Sequence, residues 1–183
     1  MHADITQPVG VQSPQATRPR EGARDITAKA LWLFPAAVTV HNLEEMFTLP
    51  AWSQTAGRLH EPVGAFPFGL AVAVLTALAW AVTSRAVREG SQSPSMYVAL
   101  GYVTAMLLNV FVPHLMSTLI TGQYTPGIIT AVAINLPVLG YLLYRAFREG
   151  QVSFGRYALI TPAVCFSLVG LLQVLCALGR LIG

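Results

Sequence analysis

The sequence predicts an all-α integral membrane helical bundle of about five transmembrane helices with a cytoplasmic N-terminus. Three observations carry that prediction. Hydrophobic residues make up 54% of the chain and charged residues only 10%, with a mean hydropathy of +0.58, outside the usual range of soluble domains. Five apolar runs each supply the roughly 17–25 residues that a hydrocarbon core about 30 Å thick requires. The basic residues lie between those runs and are split unevenly between the two sides.

Residues 1–27 are polar, carry Pro8, Pro14 and Pro19, and show no hydrophobic period, which reads as a disordered cytoplasmic tail. Residues 28–183 read as the transmembrane helical domain. The first span runs from about Ala28 to Ala51 and is closed by Pro50. Arg18, Arg20 and Arg24 precede it, as in a signal peptide, but a cleavable apolar region would not tolerate Glu44 and Glu45, so a retained helix is expected. A loop with Arg58, His60 and Glu61 leads to the second span, about Val63 to Thr83. Arg85, Arg88, Gly90 and Pro94 precede the third, about Met96 to Thr121. The short turn Gly122–Gly127 forces the third and fourth helices to lie antiparallel and adjacent. The fourth continues to about Tyr144. Arg145, Arg148, Gly150 and Arg156 fill the next loop, and the fifth span runs from about Tyr157 to Leu178. Trp32, Trp52 and Trp80 fall near span boundaries, where indoles anchor at the interface.

With five spans, the tail and the second-to-third and fourth-to-fifth loops share a side. That side holds Arg18, Arg20, Arg24, Lys29, Arg85, Arg88, Arg145, Arg148 and Arg156, leaving only Arg58 and Arg180 of the 11 basic residues opposite. Positive charge stays inside, so a multi-pass protein of the cell membrane is expected. The formal charge of +3 is spread between apolar runs rather than gathered in a patch, so no nucleic-acid partner is expected. Cys165 and Cys176 lie in one apolar run, and 11 residues of helix separate them by roughly 16 Å, too far for a disulfide. They read as buried thiols.

One pentapeptide stands out, His41-Asn42-Leu43-Glu44-Glu45. Successive helical residues turn by about 100°, so Glu44 and Glu45 fall on either side of His41 and all three face one neighbour. Each acidic residue at mid-membrane costs on the order of 2.5–3.5 kcal/mol on insertion scales. Lys29 and Arg58 lie outside the span, so compensation must come from a shared proton, a histidinium or a metal ion. His114 in the third span lies at nearly the same depth as His41, roughly 12–14 Å below the outer surface at 1.5 Å per residue. Asn135 and Gln173 are expected in the same polar layer, where interhelical hydrogen bonding is the plain reading of both. Asn109, about 140° round the helix from His114, is expected to pack elsewhere. Ser117 and Thr118 share the face of His114 and suit either support of that residue or a bond to their own backbone. His60 reads as a solvated loop residue, and His2 falls in the tail.

At His41-x-x-Glu44-Glu45 the chain resembles the bacterial membrane-protein family named for its HXXEE motif. The segment from Asn109 to His114 and the turn Gly122-x-Tyr124-x-Pro126-Gly127 are similar to that family's second block. The resemblance covers roughly residues 30 to 145. It implies an enzyme by virtue of its His and Glu residues, and names no reaction.

Three functions compete. In the first, a membrane metalloenzyme, two imidazoles and one carboxylate from His41, Glu44 or Glu45, and His114 hold a divalent metal, zinc or iron, with open positions. The remaining glutamate acts as base or bridge, and the absence of other acids from the spans favours one metal over two. All four residues are both candidate ligands and candidate catalytic groups. In the second, a metal-free isomerase or cyclase, adjacent carboxyls that resist double ionisation divide acid and base roles. In the third, a proton-coupled or metal transporter, the lack of an internal repeat counts against most known folds. Membrane lipid is the expected surrounding partner. A site this deep favours a lipophilic or amphiphilic small molecule, in lipid or natural-product tailoring.

Overall fold

The computed structural model describes residues 29–57 and 60–182. The expected tail, residues 1–27, lies outside the described residues. Among the described residues every regular element is helical. A helical turn over residues 29–31 leads into α1 (Leu33–Ser53), and α2 spans Ala65–Glu89. The third long helical segment is α3 (Pro94–Asn109), a π-helical turn (Val110–Leu115) and α4 (Met116–Thr121). The fourth is α5 (Ile128–Thr130), a second π-helical turn (Ala131–Asn135) and α6 (Leu136–Arg148). The last is α7 (Phe154–Ile182).

Four passages are long and apolar enough to cross a membrane: Ala65–Glu89, Pro94–Thr121, Ile128–Arg148 and Phe154–Ile182. The remaining helix, α1, matches them in length at 21 residues but carries His41, Asn42, Glu44 and Glu45 along its middle. Pro50 does not close α1. The helix continues through it to Ser53, whose Oγ donates to the Pro50 carbonyl at 2.9 Å and accepts from the Val63 amide at 3.0 Å. A proline loses its own backbone N–H and crowds the carbonyl four residues back, but the residues after it keep their donors, so one further turn fits before the loop.

Antiparallel contacts fix the order of the helices. Trp32 at the start of α1 meets Trp80 late in α2, ring centroids 5.9 Å apart, and Trp80 Nε1 donates to Thr39 Oγ1 at 3.1 Å. At the opposite end, Leu49 packs with Val63, Phe68 and Val72. The main core is built on α3, whose Tyr97, Leu100 and Val103 are nearly or fully buried among Phe34 and Val38 of α1, Ala79 of α2 and Leu139 and Leu142 of α6. Ser93 caps α3 by accepting from the Met96 amide, with Pro94 in the first turn, where its missing N–H costs nothing.

Helix α7 seats on α2 and α3 through two glycines. A Cβ on Gly179 would lie 2.6 Å from the Pro67 backbone, and one on Gly101 would lie 3.1 Å from Val164. Small residues let helices approach closely in lipid, where packing replaces the hydrophobic drive. The rest of α7 is largely exposed, Leu159, Phe166 and Leu181 most of all.

The α2–α3 and α6–α7 loops meet at the basic end. Gln92 donates its amide to the Gln151 carbonyl and its side chain to the Gly150 carbonyl, at 2.8 and 2.9 Å. Tyr97 donates to Gln92 Oε1 at 2.6 Å and accepts from the Ser153 amide at 3.0 Å. Glu89 takes Arg85 and Ser95 on its two oxygens, and Arg145 pairs with Glu149. Both loops therefore lie at one end of the bundle, the end for which the positive-inside rule predicts a cytoplasmic location. In a Cys165→Ser, Cys176→Ser background, Ser91→Cys and Ser153→Cys should react with an impermeant maleimide only after cells are opened. Gln123→Cys should react in intact cells. Labelling of all three from one side would refute this arrangement.

Candidate functional site

Four elements bring the site together: the middle of α1, the π-helical turn after α3, the turn Gly122–Gly127 and the first residues of α5. His41 is fully buried and His114 is 3% exposed. Their rings meet edge to face, centroids 4.9 Å apart. Glu45 lies one helical turn beyond His41, on the same face. Its Oε2 is 3.8 Å from His41 Nε2 and its Oε1 is 3.4 Å from His114 Nε2. One ligand atom from each of His41, Glu45 and His114 lies within 4.8 Å of the others.

The hydrogen bonds fix which nitrogen of each imidazole faces inward. His114 Nδ1 is 2.8 Å from the Pro126 carbonyl. A carbonyl only accepts, so Nδ1 carries the proton and, in the neutral ring, Nε2 presents a lone pair. His41 Nδ1 is 2.9 Å from Thr130 Oγ1. That hydroxyl is 2.6 Å from Glu44 Oε2, to which it donates. A hydroxyl has one proton to give, so Thr130 receives from His41, and His41 Nε2 is likewise a lone pair. Asn109 Nδ2 lies 2.8 Å from His114 Nε2 and 3.3 Å from His41 Nε2, bridging the two.

The adjacent glutamates therefore do different things. Glu45 faces the imidazoles. Glu44 faces the start of α5, accepting from the Thr130 amide at 2.9 Å, the Thr130 hydroxyl, and the Tyr124 hydroxyl at 2.8 Å. Burial, followed by the bond to Glu44, pushes the Tyr124 phenol above its ordinary range, which keeps it a donor. Glu44 thus satisfies orphan donors at a helix N-terminus, where a negative charge is favoured.

Gly127 has no substitute here. Its φ is +82°, and a Cβ would lie 2.6 Å from His114 Cε1, 2.9 Å from His41 Cε1 and 3.0 Å from Glu45 Cγ. The turn passes flush over both rings.

Asn109 corrects the helical-wheel expectation that it packs away from His114. Val112, which precedes Pro113, has φ −132° and ψ 114° inside the π-helical turn, as expected for a residue that proline excludes from the α region. That break re-aims His114 towards Asn109. Gln173 departs from the polar layer too: it lines an outer pocket with His60 and Arg180. Asn135 is fully buried, and neither amide atom has a partner among the described residues. Thr118 bonds Thr125 Oγ1 at 2.6 Å, and Thr125 in turn donates to the His114 carbonyl at 3.3 Å. Ser117 lines a small pocket with Glu45 and His114. His60 Nδ1 is 2.6 Å from the Glu61 carbonyl, and its ring packs near Trp52. Thr130 went unnoticed in the sequence because a threonine opening a helix is commonplace. Its signal was its place three residues after a positive-φ glycine.

An apolar cavity of about 360 Å³ opens beside the site, with Glu45 and Asn109 in its wall and Tyr102, Leu108, Leu168 and Val169 around it. This is the size and character of a small-molecule pocket.

No solved structure matches the chain. A protein of Bacillus subtilis (strain 168) described as "Uncharacterized protein YrkK" is 30% identical over 146 residues, covering 80% of this chain and 92% of that one. Residues 32–142 match the family described as "Protein of unknown function with HXXEE motif". With its His41-x-x-Glu44-Glu45 signature inside the matched region, the chain belongs to the HXXEE-motif family.

Proposed function

We propose that the chain is an integral membrane enzyme in which His41, Glu45 and His114 hold one divalent metal, zinc or iron, beside a lipophilic or amphiphilic substrate. One observation carries the reading: two imidazole lone pairs and a carboxylate converge within 4.8 Å of one another in a site with almost no exposure. Three electron-rich groups so placed repel one another; the Asn109 amide offsets part of this, and a cation between them would offset the carboxylate charge as well. Two histidines and one carboxylate suit zinc or non-haem iron with positions left open. Such an ion supplies Lewis acidity or an activated water.

The protein's own residues set the rest. Pro126 and Thr130 fix the two imidazole tautomers. Glu44 holds Thr130, and so acts on His41 at one remove, as carboxylates behind metal-bound histidines do. Glu45, 16% exposed and in the cavity wall, is both ligand and the carboxylate best placed to move a proton at the substrate. The metal-free reading draws on the 3.4 Å approach of Glu45 Oε1 to His114 Nε2, across which a shared proton makes an acid–base pair.

Metal analysis decides between them. Protein purified without a histidine tag and reconstituted should hold about one zinc or iron per chain. His41→Ala, Glu45→Gln and His114→Ala should each lose it. Wild-type protein that stays empty after reconstitution with both metals overturns the metal reading in favour of the proton pair. Glu44→Gln should keep the stoichiometry and weaken affinity about 10–100-fold, the usual cost of disturbing a group behind a ligand.

Gly127 gives a steric check. Gly127→Ala should abolish stoichiometric metal, because the added methyl occupies the space of both imidazole Cε1 atoms. Gly122→Ala, with a φ of +64° but nothing within 4 Å of its Cβ, should lose some thermal stability and keep its metal.

A further inference from the structure

Two cavities meet at one gate. The apolar cavity beside Glu45 shares His60, Phe68 and Leu172 with a second pocket, about 350 Å³, at the outer end of α7. The two differ in chemistry. The inner cavity is walled mainly by apolar side chains, with Asn42, Glu45, His60, Tyr102 and Asn109 as its polar ones. The outer pocket carries Arg180, Gln173, His60 and Glu61. Arg180 is exposed, and among the described residues it forms no ion pair. An unpaired guanidinium at a membrane boundary is a forked donor set for a phosphate or carboxylate.

The dimensions fit a lipid of one leaflet. From Arg180 down α7 to Cys165, in the wall of the inner cavity, is 15 residues, or roughly 22 Å. Half of a hydrocarbon core about 30 Å thick, plus a headgroup layer, covers the same depth. Glu45 lies eight residues below the end of α1, about 12 Å down, within that path rather than at its end.

We propose that the site takes a single-chain amphiphile with an anionic headgroup. The headgroup sits at Arg180 and Gln173 in the outer pocket, the chain passes the gate of His60, Phe68 and Leu172, and its upper carbons lie against Glu45 and Asn109. This rests on the metalloenzyme reading only for calling the occupant a substrate. Glu61 lines the same pocket and opposes the anion, so the preference comes from Arg180 and is blunted by Glu61. The chemistry is placed on the chain near the headgroup, not on the headgroup itself.

The two native cysteines report on the two cavities, Cys176 on the outer and Cys165 on the inner. Full-length protein in phosphatidylcholine nanodiscs is alkylated with N-ethylmaleimide, and each thiol is followed by mass spectrometry. Dodecyl phosphate should slow alkylation of both thiols. Dodecanol should slow Cys165 alone, and inorganic phosphate should leave Cys165 unaffected. Arg180→Ala should raise the half-protecting concentration of dodecyl phosphate about tenfold, as loss of a charge-assisted hydrogen bond does. Arg180→Lys should restore part of it, and Glu61→Gln should lower it below wild type. Protection of one cysteine only, of neither, or equally in Arg180→Ala overturns the proposal. A dodecyl phosphate with a diazirine at its chain end is a second readout, expected to label Leu168. Labelling confined to the outward-facing Phe166 overturns it as well. Metal content measured on the same samples separates the two readings. Metal without protection removes the amphiphile, whereas protection without metal removes the metalloenzyme.

Discussion

The three hydrogen bonds received by Glu44 hold the site together. A carboxylate inside the membrane must be compensated locally, since its cost at mid-depth is about 2.5–3.5 kcal/mol even on lenient scales. Glu44 is compensated by the first turn of α5 and by Tyr124 rather than by a basic residue. That ties α1 to the Gly122–Gly127 turn and sets the height of α5. From this anchor follow the contact of the Pro126 carbonyl with His114 and the passage of Gly127 over both imidazoles. If the anchor slips, the rings lose their tautomers together with their places.

The depth of the site was legible from the sequence. Counting residues from the ends of the first and third spans put His41 and His114 in one layer, because helical rise converts position into height with little error. Azimuth was less legible. Glu44 and Glu45 differ by about 100° around α1, and only the neighbouring helices decide which one faces His114 and which one faces Thr130. Asn109 was misread for a related reason. A helical wheel assumes an unbroken helix, and the extended Val112 within the π-helical turn invalidates it. Pro113 marked the break, but a proline does not say which way the next residue turns. Gln173 is likewise a matter of azimuth: it faces an outer pocket with His60 and Arg180 rather than the cluster, which counting residues along α7 does not reveal.

The family match and the cavity divide the molecule. Residues 32–142 contain every residue of the His/Glu cluster and its supports, whereas α7 lies outside that range. Yet α7 supplies one wall of both cavities through Cys165, Leu172 and Cys176. It is also the least buried of the four apolar helices: one face packs Tyr157, Ile160, Val164 and Leu168 on the main core, with close approaches at Gly101 and Gly179, and the rest is exposed. The exposed side chains of α7 can change without disturbing the cluster. On the enzyme reading proposed above, the reacting groups belong to the matched core and the choice of substrate to α7.

A proton and a metal ion are not equivalent solutions for the cluster. Pro126 uses the Nδ1 hydrogen of His114, and Thr130 uses that of His41, so each ring turns a lone pair to the centre. Glu45 adds carboxylate oxygens 3.4 and 3.8 Å from those nitrogens. One added proton joins two of these three groups and leaves the third facing a like partner. The Asn109 amide relieves part of this by donating to both nitrogens, but an amide nitrogen carries no net charge to offset Glu45. A divalent ion satisfies all three at once. The amide can also turn end for end, since its oxygen and nitrogen occupy nearly the same space, and then offers its oxygen to the ion. The same four residues are thus satisfied in the amide-bridged arrangement, and on the proposed reading a cation takes the place of the bridging amide hydrogens.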